Sequence, residues 1–167
     1  MNNSLSEPPI SIRHHLLPGD VGYITYRHGI LYAPEQGWDN TFDSYVAIPL
    51  AQFAKSHFHR ERIWIAEKEG RIVGSVAIVK SSEKEAQLRW LLLHPEVRGR
   101  GLGRRLVEEA LHFCRDAGYS SVFLWTVSTL PIAAKLYRSV GFREREKVTH
   151  ELWGSLVTEV KYELEPK

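Results

Sequence analysis

The chain has 167 residues, of which 43% are apolar and 25% charged, and a formal charge of +2; this excludes a disordered chain and is short for two ordinary domains. Near-neutrality excludes nucleic-acid binding through net charge alone, so any such footprint must come from local clustering. One cysteine, Cys114, excludes an intrachain disulfide and a multi-cysteine zinc site, and without a leader or a bilayer-length apolar run the expectation is a soluble, cytoplasmic protein.

Residues 1–9 end in Pro8-Pro9 and read as a loosely ordered lead-in to a single domain over 10–167. Ile10 to Arg13 alternate as a short strand, and Pro18-Gly19-Asp20 opens a helix expected to reach Tyr32. A second helix follows Asp39-Asn40, with Phe42, Tyr45, Val46, Leu50 and Phe53 on one face and Pro49 expected to kink or interrupt it. The period then changes. Ile63–Ala66, Ile72–Val79 and Ala86–Leu93 read as an antiparallel meander whose first turn is Lys68–Arg71. Leu102, Leu106, Val107, Ala110, Leu111 and Cys114 mark a helix that stops near Gly118, with Cys114 a small buried hydrophobe. Ser121–Val127 is a buried-type strand, Ala133, Leu136, Tyr137 and Val140 mark a helix ending at Gly141, and strands near 142–151 and 156–164 complete a mixed α+β domain.

Between the third meander strand and its helix lies Arg98-Gly99-Arg100-Gly101-Leu102-Gly103. Glycines there let backbone amides approach a ligand, and a helix start adds unpaired N–H groups and a positive dipole end, so a pyrophosphate suits the place. Spacing excludes two phosphate motifs. A P-loop needs Gly-Lys-Ser/Thr where Gly103 precedes Arg104-Arg105, and a dinucleotide fingerprint from Gly99 needs glycine where Arg104 stands. One basic loop also makes too few phosphate contacts for useful nucleic-acid affinity. The competing reading is a glycine-rich connector with a solvated basic face.

Leu91-Leu92-Leu93-His94-Pro95 followed by Arg98–Gly103, and then Ala134-Lys-Leu-Tyr-Arg-Ser-Val-Gly-Phe142, resemble the acetyl-CoA motif and the following helix of the GNAT superfamily of acyl-CoA N-acyltransferases. Nearly the whole chain takes part in the likeness. Arg27–Asp39, Gly19–Gly22 and Leu124-Trp125-Thr126 further resemble the acetyltransferase half of proteins that fuse a MarR-type DNA-binding domain to a GNAT domain; only that half is present, so DNA binding is not carried over. The resemblance implies a mostly antiparallel sheet of about six to seven strands with about four helices.

It also implies acetyl-CoA as co-substrate, with no metal, and direct attack by a primary amine of a small molecule, amino acid or peptide. The backbone of Leu91, Leu92 and Leu93 would pair with pantetheine, and the amides of Arg98, Gly99, Arg100, Gly101, Leu102 and Gly103 would hold the pyrophosphate. Arg98, Arg100, Arg104 or Arg105 would add charge. An amine of ordinary pKa about 10.4 must lose a proton before attack, an N–H near Leu93 would stabilise the developing oxyanion, and Tyr137 would protonate the leaving thiolate. Core packing competes for Tyr137, which shares a stripe with Ala133, Leu136 and Val140.

Two positions depart from the superfamily pattern. Leu130 stands where many members carry asparagine, leaving Ser128 or Thr126 for a polar cofactor contact, and Trp125 stands where some carry a carboxylate base. The base is then open among Glu35, Asp39, Asp43 and His150. Glu35 and Asp39 are candidate partners for a cationic amine, and Trp38, Tyr32, Phe42 and Trp125 candidate walls; a solvated loop with packed aromatics competes. His14-His15 and His57-Phe58-His59 lack metal-ligand spacing. The competing class of function is a non-catalytic acetyl-CoA sensor. A homodimer through an exposed edge at Leu156–Leu164 is a further expectation.

Overall fold

The structure, a computed structural model, describes residues 7–56 and 58–167, so most of the lead-in and His57 lie outside the described residues. Strand β1 (Ser11–Arg13) is followed by helices α1 (Asp20–Gln36) and α2 (Thr41–Lys55). The meander β2 (Arg62–Lys68), β3 (Arg71–Lys80) and β4 (Glu85–Leu93) leads through a short 3-10 turn (Pro95–Val97) into α3 (Leu102–Asp116). Strand β5 (Ser121–Val127), helix α4 (Pro131–Ser139) and the hairpin β6 (Arg143–Leu152) and β7 (Ser155–Leu164) complete the chain.

The strands form one seven-stranded sheet in the order β1-β2-β3-β4-β5-β7-β6, antiparallel everywhere except between β4 and β5. The α+β fold and its element order agree with the sequence reading. Each face of the sheet carries its own core. On one side Leu102, Leu106, Val107, Ala110 and Cys114, spaced along one stripe of α3, pack with Val73, Val76, Leu88 and Leu124. Full burial of a side chain such as Leu106 stabilises by about 1.5–3 kcal/mol, so an aspartate there would undo this face. On the other side Ile24, Phe42, Val46 and Leu50 from α1 and α2 meet Ile63, Ile65, Ala77 and Val127.

Three boundaries correct the sequence reading. Helix α1 runs past Tyr32 to Gln36, with Pro34 inside its last turns and Gly37 (φ 71°) ending it, so Glu35 rides on a helix. Helix α2 passes through Pro49 without a break, because buried Val46 and Leu50 on either side hold it to the sheet against the cost of the lost N–H bond. The outer edge on the C-terminal side is β6. Strand β7, which carries Leu156–Leu164, is paired on both sides, and the exposed run Arg143–Lys147 on β6 discourages edge pairing by its charges.

Candidate active site

β4 and β5 pair only from Glu85–Gln87 to Ser121–Phe123; beyond them β5 stays on β7 while β4 stays on β3, and a gap opens between the two. A bulge sharpens the divergence. Ala77 faces Arg89 and Ser75 faces Leu92, so Trp90 and Leu91 together oppose Val76, with Trp90 at φ 52° and its carbonyl held by Ser75 Oγ at 2.8 Å. The bond from His94 N–H to Val73 C=O (2.7 Å) makes Gly74 and Leu93 a non-hydrogen-bonded pair. The N–H and C=O of Leu93 therefore turn away from β3 towards the gap. Arg98 Nε reaches that carbonyl at 3.1 Å, and Tyr32 Oη reaches the carbonyl of Leu91 at 3.3 Å. The cleft formed here holds about 570 Å³ and is lined by Leu91, Leu93, Arg98 and Gly99 on one wall and by Leu124, Trp125, Thr126 and Val127 on another.

At the start of α3 the first intrahelical bond runs from Arg105 N–H to Gly101 C=O (3.0 Å), which leaves the N–H groups of Leu102, Gly103 and Arg104 without an intrahelical acceptor. Gly99 and Gly101 take φ of 72° and 82°, values that disfavour a side chain. A Cβ on Gly103 would stand 2.7 Å from Leu93 Cδ1, so a side chain there would have to displace the end of Leu93 beside the cleft. A free strand edge, unpaired N–H groups and glycines fit an extended amide chain ending in a pyrophosphate. The side chains of this segment divide. Arg98 and Gly99 line the cleft, Arg100 pairs with Glu7, Arg104 pairs with Glu108 at 2.8 Å, and Leu102 and Leu92 are buried away from it.

Tyr137 lies on α4, whose first turn begins at Pro131 and whose apolar side faces the sheet. Its ring meets Phe142 at 5.9 Å and Tyr162 at 6.1 Å, and burial pushes the phenol above its ordinary pKa, so it stays protonated. The residue is part of the core and lines the cleft as well. Leu130, Thr126 and Thr129 line it too, whereas Ser128 is exposed, outside the lining, and gives its N–H to Thr158 C=O (2.9 Å).

The opposite wall comes from α1, α2 and the β6–β7 hairpin. Trp153, at φ 52° in the two-residue Trp153-Gly154 turn, inserts its ring between Trp38 (4.5 Å), Phe42 (5.0 Å) and Tyr45 (5.0 Å). Its carbonyl accepts Asp39 N–H at 2.8 Å, and Gly154 passes so close that a Cβ would meet Asp39 Oδ2 at 2.7 Å. Asp39 accepts bonds from the N–H and hydroxyl of Thr41, which lower its pKa, and it lies outside the lining. Its carboxylate thereby tethers the first turn of α2. Asp43 packs against Gly29 instead of the cleft, Glu35 sits exposed at the rim, and Trp125 lines the wall.

The carboxylate inside is Glu159 on β7, mostly buried, with His150 Nε2 2.7 Å from its Oε2. His150 thus reaches the cleft through a partner that the sequence reading did not name. Val157, Glu159 and Lys161 alternate on one strand face, and the parity of Glu159 with inward Val157 was the available signal. His28, lining the same cleft, donates its Nδ1–H to Ile24 C=O at 2.8 Å, and burial lowers its pKa to about 4. No cluster of three or more potential metal ligands occurs among the described residues, and no helix among them is long and apolar enough to cross a membrane.

The acetyltransferase (GNAT) family model matches residues 30–142. Human N-acetyltransferase 8B is 31% identical over 133 residues, covering 75% of this chain and 59% of that protein. Rat N-acetyltransferase 8 is 34% identical over 116 residues, covering 65% and 52%. The chain thus spans a little over half the length of these relatives. An acetyltransferase from Streptococcus agalactiae superposes with a TM-score of 0.74 at 19% identity, over 91% of this chain and 96% of that one. Spermidine N-acetyltransferase from Vibrio cholerae, solved with CoA and spermine, gives 0.71 at 19% identity, over 94% and 95%. With the parted β4 and β5, the glycine-rich start of α3 and a family match over most of its length, the chain belongs to the acetyltransferase (GNAT) family.

Proposed function

We propose that the protein is an acetyl-CoA-dependent N-acetyltransferase of the cytoplasm that acetylates a primary amine by direct attack within a ternary complex. The observation that carries this reading is the gap between β4 and β5, where the outward N–H of Leu93 and the ring of Tyr137 border one cleft. Within the family, Arg27–Asp39 and Leu124–Thr126 support kinship with the acetyltransferase domains that occur fused to MarR-type regulators.

When bound, acetyl-CoA supplies a thioester whose acetyl carbon accepts the nitrogen. The edge of Leu91–Leu93 would hold the pantetheine amides, and the N–H groups from Gly99 to Arg104 the pyrophosphate, with Arg98 adding charge at the cleft. Glu159, steadied by His150, takes a proton from the ammonium group and leaves a neutral amine. The N–H of Leu93 stabilises negative charge on the carbonyl oxygen as the C–N bond forms. When the C–S bond breaks, the sulfur takes a proton from Tyr137, and the phenolate recovers one from the nitrogen, which sheds it on becoming an amide. Glu35 at the rim guides the cationic acceptor inward.

The test is release of CoA thiol from acetyl-CoA in the presence of a panel of amines, amino acids and peptides. Acetyl transfer to at least one member is expected. Tight acetyl-CoA binding without turnover on any of them would instead make the chain a sensor.

A further inference from the structure

Two opposite charges border the acceptor side of the cleft without meeting. Glu159 has His150 as its partner, whereas Arg89 forms no ion pair or hydrogen bond among the described residues. The guanidinium lies only over aromatic faces, 5.1 Å from the ring of Trp90 and 6.0 Å from that of Tyr45. Burial of Arg89 without a counter-ion lowers its pKa, a sign that its desolvation is uncompensated. Next along the strand, Trp90 is 7% exposed and lines the same cleft, and its buried indole N–H has no acceptor among the described residues. Native structures pair such groups, so a cation and a donor left together mark the place of an anion that comes with the ligand.

Strand parity sets where that anion would sit. Arg89 pairs with Ala77, whose side chain belongs to the core beneath α1 and α2, so Arg89 projects to the acceptor face and away from α3. Tyr45 feels the fields of both Arg89 and Glu159, which puts the two charges around one aromatic wall. A guanidinium fork matches a planar carboxylate, a carboxylate beside Glu159 requires an amine on the same molecule, and the surrounding rings require an apolar body.

Building on the acetyltransferase reading, we propose that the acceptor is an amino acid with a bulky apolar side chain, its free carboxylate held by Arg89 and its amine presented to Glu159. Arg89 is then the residue that separates amino acids from simple amines.

The experiment compares phenylalanine, phenylalaninamide and phenethylamine as acceptors for the wild type, Arg89→Gln and Arg89→Lys, with acetyl-CoA binding by calorimetry reporting whether each variant is folded. In the wild type kcat/KM for phenylalanine is expected to exceed that for phenethylamine by about 10- to 100-fold. The ratio should fall towards one in Arg89→Gln and only partway in Arg89→Lys. Equal or better acetylation of phenethylamine and phenylalaninamide by the wild type would overturn the proposal and leave the acetyltransferase reading standing. If none of the three is acetylated, the acetyltransferase reading is judged on the wider panel, and calorimetry with N-acetylphenylalanine and N-acetylphenethylamine in the presence of CoA still decides the role of Arg89. Selective binding of the carboxylate compound supports the role of Arg89, and equal binding or none overturns it.

Discussion

The two sides of the cleft are built from different materials. The side we propose for the donor is backbone: the free edge of β4, the N–H groups at the start of α3, and the glycines between them. The side we propose for the acceptor is side chains, with Trp38, Phe42 and Tyr45 from two helices, Trp153 from a hairpin turn, Arg89 from β4 and Glu159 from β7. A backbone site tolerates few residue types and keeps its residues contiguous, so it fixes the donor. A site of side chains is assembled from distant segments and sets the choice of acceptor.

The division is open to attack, beginning where the effect is largest. Tyr137→Phe keeps the ring packing against Phe142 and Tyr162 and removes only the hydroxyl; kcat should fall by roughly 10²- to 10⁴-fold with the Kd of acetyl-CoA unchanged, as steady-state kinetics and calorimetry will report. Next comes the pH dependence of the acceptor wall. The pKa of His28 is about 4 in the fold and 6.5 when unfolded, so the unfolded chain binds more protons between these values and the native state loses stability as pH falls through that window. The loss reaches about 3 kcal/mol by pH 4, is absent above pH 7, and should shrink in His28→Gln when urea unfolding is followed at both pH values.

Glu159→Gln is expected to lower kcat/KM for the acceptor by about 10- to 100-fold without weakening acetyl-CoA binding, since it acts on the other wall. Gly103→Val works in the opposite sense. Its new methyl groups push Leu93 into the donor side, and the KM for acetyl-CoA should rise about tenfold while the KM for the acceptor changes little. Ser128→Ala, outside the lining, is expected to change every kinetic parameter by less than about twofold.

The same contrast explains what could be read from the chain. The glycines at 99, 101 and 103 and the apolar stripe from Leu102 to Cys114 are local patterns with local causes, and both appear in the structure where the sequence puts them. Pro49 misled because packing of Val46 and Leu50 on the sheet overrides a local preference for a break, and the longer course of α1 past Tyr32 likewise takes Pro34 into its last turns. The bonds of Asp39 to Thr41, and its place outside the cleft lining, become visible only once the start of α2 is known. Trp153 falls in a tight turn between two strands, a place that suggests exposure; only the docking of that turn against Asp39 carries its ring into the aromatic wall. Arg89 and Glu159 were legible as charges in apolar strands, yet their convergence depends on a sheet order in which β7 precedes β6.

The most direct test is a crystal structure of the complex with CoA. Pantetheine is predicted to lie in the gap between β4 and β5, bonded to the backbone of Leu91–Leu93, with its sulfur within hydrogen-bond reach of Tyr137 Oη. CoA bound outside that gap, or a thiol remote from Tyr137, would contradict the assignment of this cleft as the place of acetyl transfer.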